Sequence, residues 1–294
     1  MIKLIPDFGN DKDQLFDWLR KEKATLLRQK KASIKEADSF GVIMQKEEYI
    51  RPDSNKEFGI IDVTTNDLLV KCAINSTNYI DGHLDLHLKK GWNRTVKHKI
   101  NDGLHLKEHK MSFDTTLADG IEQVKVYVTT MSWKALGYDY EGTTDLLMHQ
   151  TKLKSISTPL PHQIVKAEMY YRYRDGEVKN HSVGMGYGDV ILCVNSDDKY
   201  WKEEKDNFQK YIEQAVNPEF GLETGIFFAV PEMKYYEGSA VPRGSNPLTP
   251  TVSVSEIKNE GHTQESTPII IDSPSGTHKT ALEMMQNINN IQKN

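Results

Sequence analysis

Gly225-Ile-Phe-Phe-Ala-Val230 and Val190-Ile-Leu-Cys-Val194 are short apolar runs, and with Val124-Lys-Val-Tyr-Val-Thr129 they decide the fold class. Runs of this length, rich in β-branched and aromatic residues, read as strands. The Val124 run alternates apolar and polar residues, which predicts one buried and one wet face. Gly59-Ile-Ile-Asp-Val-Thr64 and Ile164 to Tyr173 read the same way. Helices are predicted between them over His87–His98, Thr143–Leu153 and Asp198–Val216. The last carries Trp201, Phe208, Tyr211, Ile212 and Ala215 as an apolar stripe with charges opposite. Strands and helices do not alternate regularly, which argues against a doubly wound parallel sheet. The expected class is α+β, mainly β, with an antiparallel β-barrel-like core decorated by helices.

Working outward from that core, which spans about residues 41–250, residues 1–40 read as a helical arm that Asn10 or Asp11 can cap. Its charge is divided. Four acids and one lysine lie between Asp7 and Asp17, whereas seven basic residues face Glu22 alone between Arg20 and Lys35. That order suits the helix dipole and reads as a solvated helix face; the alternative is docking on an acidic partner. From Thr251 onward the chain holds ten Ser or Thr and no aromatic residue. Residues 251–279 therefore read as a flexible linker, too polar to offset its ordering entropy. Residues 280–294 read as an amphipathic helix opened by the capping box Thr280-x-x-Glu283, with Met284, Met285, Ile288 and Ile291 on one stripe.

The 294 residues carry 37 Lys plus Arg against 42 Asp plus Glu, a net charge of -5. Without a basic excess, nucleic acid is not an expected partner. Cys72 and Cys193 alone exclude a disulfide scaffold and a Cys-rich zinc module. Charge appears too early for a secretory leader and no apolar run approaches 18 residues, so a soluble intracellular protein without membrane contact is expected.

Several chemistries compete. Gly184-Met-Gly186-Tyr-Gly188 lacks the spacing and the lysine of a phosphate loop. His83-x-x-x-His87 and His105-x-x-x-His109 have the spacing of a zinc pair on a helix, but on a strand the two rings are too far apart to share an ion. A third group joins Ser182, followed by Val183-Gly184, to His109 and Glu237. A neutral imidazole is the usual base for a serine hydroxyl, and a carboxylate can orient it.

Three segments, in order, resemble the HK97-type prohead proteases of tailed phages. Asp81-Gly-His-Leu-Asp85 through Gly91-Trp92, then His105-Leu-Lys-Glu-His109, is similar to the stretch leading to that family's catalytic histidine. His181-Ser182-Val-Gly-Met185 is similar to its Ser-Val-Gly nucleophile motif. Glu237-Gly-Ser-Ala-Val-Pro-Arg-Gly-Ser-Asn-Pro247 is similar to its Glu-Val-Ser-Leu-Val…Pro-Ala-Asn-Pro run. The likeness spans about Phe58 to Pro250.

The resemblance implies a viral serine endopeptidase with a herpesvirus-assemblin-like fold and no cofactor or metal. Ser182 would be the nucleophile, His109 the base and Glu237 the acid, with His83, His87 and Asp114 as competitors for the third role. Scaffold protein, major capsid protein and the chain itself would be the substrates, inside a procapsid assembled in the host cytoplasm. Backbone N–H groups of Val183 to Met185, or of a neighbouring loop, would hold the oxyanion. An inactive protease-like assembly protein is the alternative, and a hydrolase using the paired histidines the third reading. The chain departs from the pattern at Gly238, after the acid, and at Gly244-Ser245, where Pro-Ala is usual. Met131–Pro161 reads as an inserted helical excursion. Ser182 and His109 are expected at a partly exposed site.

Overall fold

The computed structural model of the chain describes residues 5–35, 67–99 and 103–257, apart from 10 and 157. In chain order these form α1 (Lys12–Ala32), β1 (Ile34–Lys35), β2 (Asp67–Ser76), β3 (Asp85–His87), α2 (Asn93–Lys99), β4 (Leu104–Lys107), β5 (Thr116–Asp119), β6 (Val124–Ser132) and β7 (Thr143–Leu153). They continue as α3 (Ile164–Arg174), β8 (Asn180–Val194), α4 (Lys202–Ile212), α5 (Pro218–Thr224), β9 (Ile226–Val241) and β10 (Thr251–Ile257). Gly59–Thr64 and the C-terminal helix of 280–294 lie outside the described residues.

The run after Gly225 is apolar without interruption because both faces of β9 are covered. Phe227 and Ala229 pack with Phe208 and Tyr211 of α4, while Ile226, Phe228 and Val230 join the main core with Leu19 and Leu26 of α1. β9 pairs antiparallel with β8 along nearly its whole length. Its other edge takes β3 at Phe228–Val230 and β4 at Gly238–Ala240, both parallel. One sheet therefore runs β1-β8-β9-β4-β5 with β3 beside β9, and a second runs β10-β2-β7-β6. Apolar residues of both sheets share one cluster. The class is α+β with mostly antiparallel pairing. Among the described residues the sheets do not close into a barrel, which corrects the barrel-like expectation.

Four local expectations are also corrected. Thr143–Leu153 is the inner strand β7, not a helix; it lies between β2 and β6 and is buried along most of its length, so it shows no period of two. Ile164–Arg174 is helix α3, not a strand: Ala167, Tyr170 and Tyr173 are buried at helical spacing, Pro161 opens the preceding turn and Arg172 pairs with Glu168 one turn back. His87 ends a strand, and the helix begins only at Asn93, after a turn in which Lys90 has φ 66°. Met131–Pro161 holds a single 3-10 turn before β7 rather than a helical excursion.

Both ends of the core extend further than the composition suggests. Thr251–Ile257 pairs antiparallel with β2, so the first residues of the expected linker are a strand. At the other end, Asp11 caps α1 by accepting from the Gln14 N–H at 2.9 Å. The basic half of α1 docks on acids of its own chain: Arg20 on Asp198, Lys23 on Glu204, Lys31 on Asp189. Lys30 is buried and places its ammonium 2.7 Å from Asp85 Oδ1 and 4.1 Å from the Phe228 ring centre. Among the described residues no helix is long and apolar enough to cross a membrane.

Candidate active site

Register across β8 and β9 sets one face of the sheet. Ser182 lies opposite Ser239 and Gly184 opposite Glu237. Directly opposed residues point the same way, and alternate residues share a face. Ser182, Gly184, Glu237 and Ser239 therefore stand on one side of the sheet. Gly184 is required there, because a Cβ on it would stand 2.1 Å from Glu237 Oε1. The carboxylate fills the space that a side chain would take.

His109 reaches the same face by a break in β4. Glu108 still pairs through its N–H with Ala240 O at 2.9 Å, but Glu108 and His109 both have φ of 55°. Two successive non-glycine residues in the left-handed region are unusual, and such backbone concentrates at functional sites. The turn brings His109 Nδ1 2.5 Å from Glu237 Oε1. The second carboxylate oxygen, Oε2, accepts from Ser239 Oγ at 2.6 Å, and Ser239 Oγ accepts from the His109 backbone N–H at 3.1 Å. His109 and Glu237 are 3% and 2% exposed, whereas Ser182 is half-buried. The expectation of a partly exposed pair thus holds for the serine and not for the histidine.

The loop after β9 lies against this face. A Cβ on Gly244 would stand 2.9 Å from His181 O and 3.7 Å from Ser182 Cβ, which accounts for glycine where the resemblance expects a larger residue. Asn246 anchors the loop: its Nδ2 donates to Ser76 O at 3.0 Å, and its Oδ1 accepts from the Leu248 N–H at 2.9 Å. Val183 to Met185 lie within β8, paired to β9.

Gly238 and His181 face the other way, into the space between the sheets. A Cβ on Gly238 would stand 2.4 Å from His149 Cε1, so the histidine of β7 fills the room vacated by the glycine after the acid. His105 bonds Thr151 Oγ1 at 2.7 Å, the Tyr173 hydroxyl bridges His105 and His181 at 2.9 Å each, and His149 bonds the Tyr235 hydroxyl at 3.0 Å. Burial lowers all three imidazoles: His105 well below its ordinary value, also through His149 and His181, His181 to about 4 and His149 to about 3. These are neutral structural rings.

The paired histidines therefore separate. His105 lies between the sheets and His109 on the opposite face of β9, so the two do not converge on one ion. His87 Nδ1 bonds Asn75 Nδ2 at 2.8 Å, and Asn75 Oδ1 accepts from Trp92 Nε1 at 2.9 Å. Asp81 Oδ1 accepts the N–H groups of His83 and Asp85, and Asp85 Oδ2 accepts the Tyr187 hydroxyl at 2.6 Å. Asp81, Asp85 and His87 offer ligand atoms within 4.8 Å of one another, and the Lys30 ammonium stands 2.7 Å from Asp85 Oδ1. Of the four candidates for the third role, Glu237 meets His109; His87 Nδ1 is bonded to Asn75, the His83 N–H to Asp81, and Asp114 is exposed. Both cysteines are buried and poor nucleophiles: desolvation pushes the Cys72 thiol up strongly and the Cys193 thiol to about 12.

No family model, curated protein or solved structure matches this chain.

Sequence reasoning passed over one residue of the site. Ser239 was discoverable, since a serine two positions after the acid shares its strand face. Gly184 is legible in the Ser-Val-Gly motif and Gly238 as a departure from the pattern, but the side chains that require these glycines, Glu237 and His149, come from distant segments.

Proposed function

We propose that this chain is a serine endopeptidase that matures a viral capsid, cleaving scaffold and capsid-protein segments and itself. The observation that carries the reading is the His109 Nδ1–Glu237 Oε1 contact of 2.5 Å, on the same sheet face as the half-buried Ser182. The reading is supported by His109 and Glu237 meeting from separate segments, with Ser182 on the same face of the sheet.

In this mechanism Glu237 binds the Nδ1–H of His109 and leaves Nε2 to accept the Ser182 proton. The Ser182 oxygen attacks a peptide carbonyl, and the imidazolium then protonates the leaving amine. Water repeats the sequence to release the acyl group. Preorganised donors aimed at the oxyanion supply the largest share of such catalysis, and the backbone of the Gly244 loop is the neighbouring segment available for that role. Burial of the His109–Glu237 pair favours the charge-assisted contact through low dielectric.

The test is co-production with candidate scaffold and capsid proteins, followed by mass spectrometry of the new termini. Processing by the parent chain and its loss in Ser182→Ala and His109→Ala are expected. Cleavage by Ser182→Ala would refute the serine mechanism. Capsid binding without cleavage by the parent would replace the enzyme with an assembly protein.

A further inference from the structure

We infer that Ser239 is a positioning residue for the His109–Glu237 pair, an inference that rests on the catalytic reading above. The chemistry of its two partners assigns its hydroxyl completely. A backbone N–H can only donate, so Ser239 Oγ accepts from His109 at 3.1 Å. An ionised carboxylate can only accept, so the same oxygen donates its proton to Glu237 Oε2 at 2.6 Å. With the His109 Nδ1–Oε1 contact of 2.5 Å, these bonds close a ring: His109 backbone, Ser239 hydroxyl, Glu237 carboxylate, His109 imidazole.

Each link has a consequence. The bond to Oε2 fixes the rotation of the carboxylate, so that Oε1 alone faces the imidazole. The bond from the His109 N–H holds the left-handed turn at φ 55°, which carries the ring to this face. Ser239 is fully buried, and water cannot take the hydroxyl's place without opening the sheet. Its strand partner is Ser182, so the residue that orients base and acid sits on the rung of the nucleophile itself. Hydrogen bonds to a charged group act through geometry and through charge, and both are lost together here.

The experiment uses the full-length chain and compares Ser239→Ala, Ser239→Cys and Ser239→Thr with the parent. Three readouts are taken. The first is kcat and KM on a peptide spanning a mapped cleavage site. The second is the pH profile of kcat/KM. The third is the far-downfield proton resonance of an imidazole N–H bound to a carboxylate, assigned by its loss in His109→Ala.

Ser239→Ala is expected to lower kcat about 10- to 100-fold with KM nearly unchanged, the loss typical of one bond to a charged group. The acid limb of kcat/KM should move to higher pH, because a carboxylate without that donor holds an imidazolium more tightly. The downfield resonance should broaden or vanish. Ser239→Thr, which keeps the hydroxyl, should restore most of the rate and the resonance. If Ser239→Ala does not fold, Ser239→Cys is read in its place, its thiol being a weak donor.

Unchanged kcat, acid limb and resonance in a folded Ala or Cys variant would overturn the inference, whatever its melting temperature. The resonance is read without substrate. A parent chain that cleaves nothing yet loses the resonance on removal of the Ser239 hydroxyl would refute the peptidase reading and leave the positioning role standing.

Discussion

Mild acid should destabilise this protein through the histidines beneath the site. His149 and His181 are neutral in the fold, with values lowered by burial to about 3 and about 4, and His105 lies lower than normal for the same reason. In the unfolded chain a histidine takes up its proton near 6.5. Where the folded value is depressed, the unfolded state binds more protons, so stability is complete above the unfolded value and falls as pH drops below it. Between pH 7 and 5 the loss is about 2 kcal/mol for each of His149 and His181, hence about 4 kcal/mol together, at ~1.4 kcal/mol per pH unit for each group. His105 adds to it in the same direction. Against a typical domain stability of roughly 5–15 kcal/mol, this is a large fraction.

Urea unfolding at half-unit steps from pH 7.5 to 4.5, followed by tryptophan fluorescence, measures it. His149→Phe keeps the ring volume over Gly238 and removes one titrating group, so its slope of stability against pH should be about 1.4 kcal/mol per unit shallower. A parent stability that is flat within about 1 kcal/mol from pH 7 to 5 would refute the buried neutral layer. An unchanged slope in the folded His149→Phe variant would remove that histidine from it.

Further substitutions probe the packing. Gly184→Ala places a methyl 2.1 Å from Glu237 Oε1 and must displace the carboxylate; kcat of the proposed reaction should drop at least about 100-fold, measured by peptide cleavage. Gly238→Ala collides with His149 at 2.4 Å and should cost about 1–3 kcal/mol in urea unfolding, with part regained in the double variant that adds His149→Ala. Lys30→Ala strands the buried Asp85 carboxylate, which Lys30 approaches to 2.7 Å, and should cost about 3–5 kcal/mol; a cost below about 1 kcal/mol would show that α1 is not held by this pair. Glu237→Gln should lower the cleavage rate less than Ser182→Ala, since an orienting acid is less indispensable than the nucleophile.

Much of the β structure was readable where one physical signal dominated. The Val124 run alternates because β6 has one covered face, and the runs at Val190 and Gly225 are continuous because both faces of β8 and β9 are covered there. The same rule misled at Thr143–Leu153 and Ile164–Tyr173. A strand covered on both faces and a helix buried along part of its surface give similar apolar texture, and only the neighbours distinguish them. The tail was misjudged at Thr251–Ile257 for a related reason. A polar edge strand is held by its ladder with β2, which local composition does not register.

The resemblance of three separated segments supplied Ser182, His109 and Glu237 as candidate residues, and from the residues alone came the α+β class, a capped N-terminal helix and the α4 stripe. Composition, periodicity and residue chemistry are local, and these features depend on little else. Tertiary structure decided the rest. It turned the basic half of α1 onto the chain's own acids, and it divided His105 from His109 by a left-handed turn. It set Glu237 over Gly184 and His149 under Gly238. Each of these depends on a contact between residues far apart in the chain, and the identity of a glycine says only that room is needed, never which side chain will fill it.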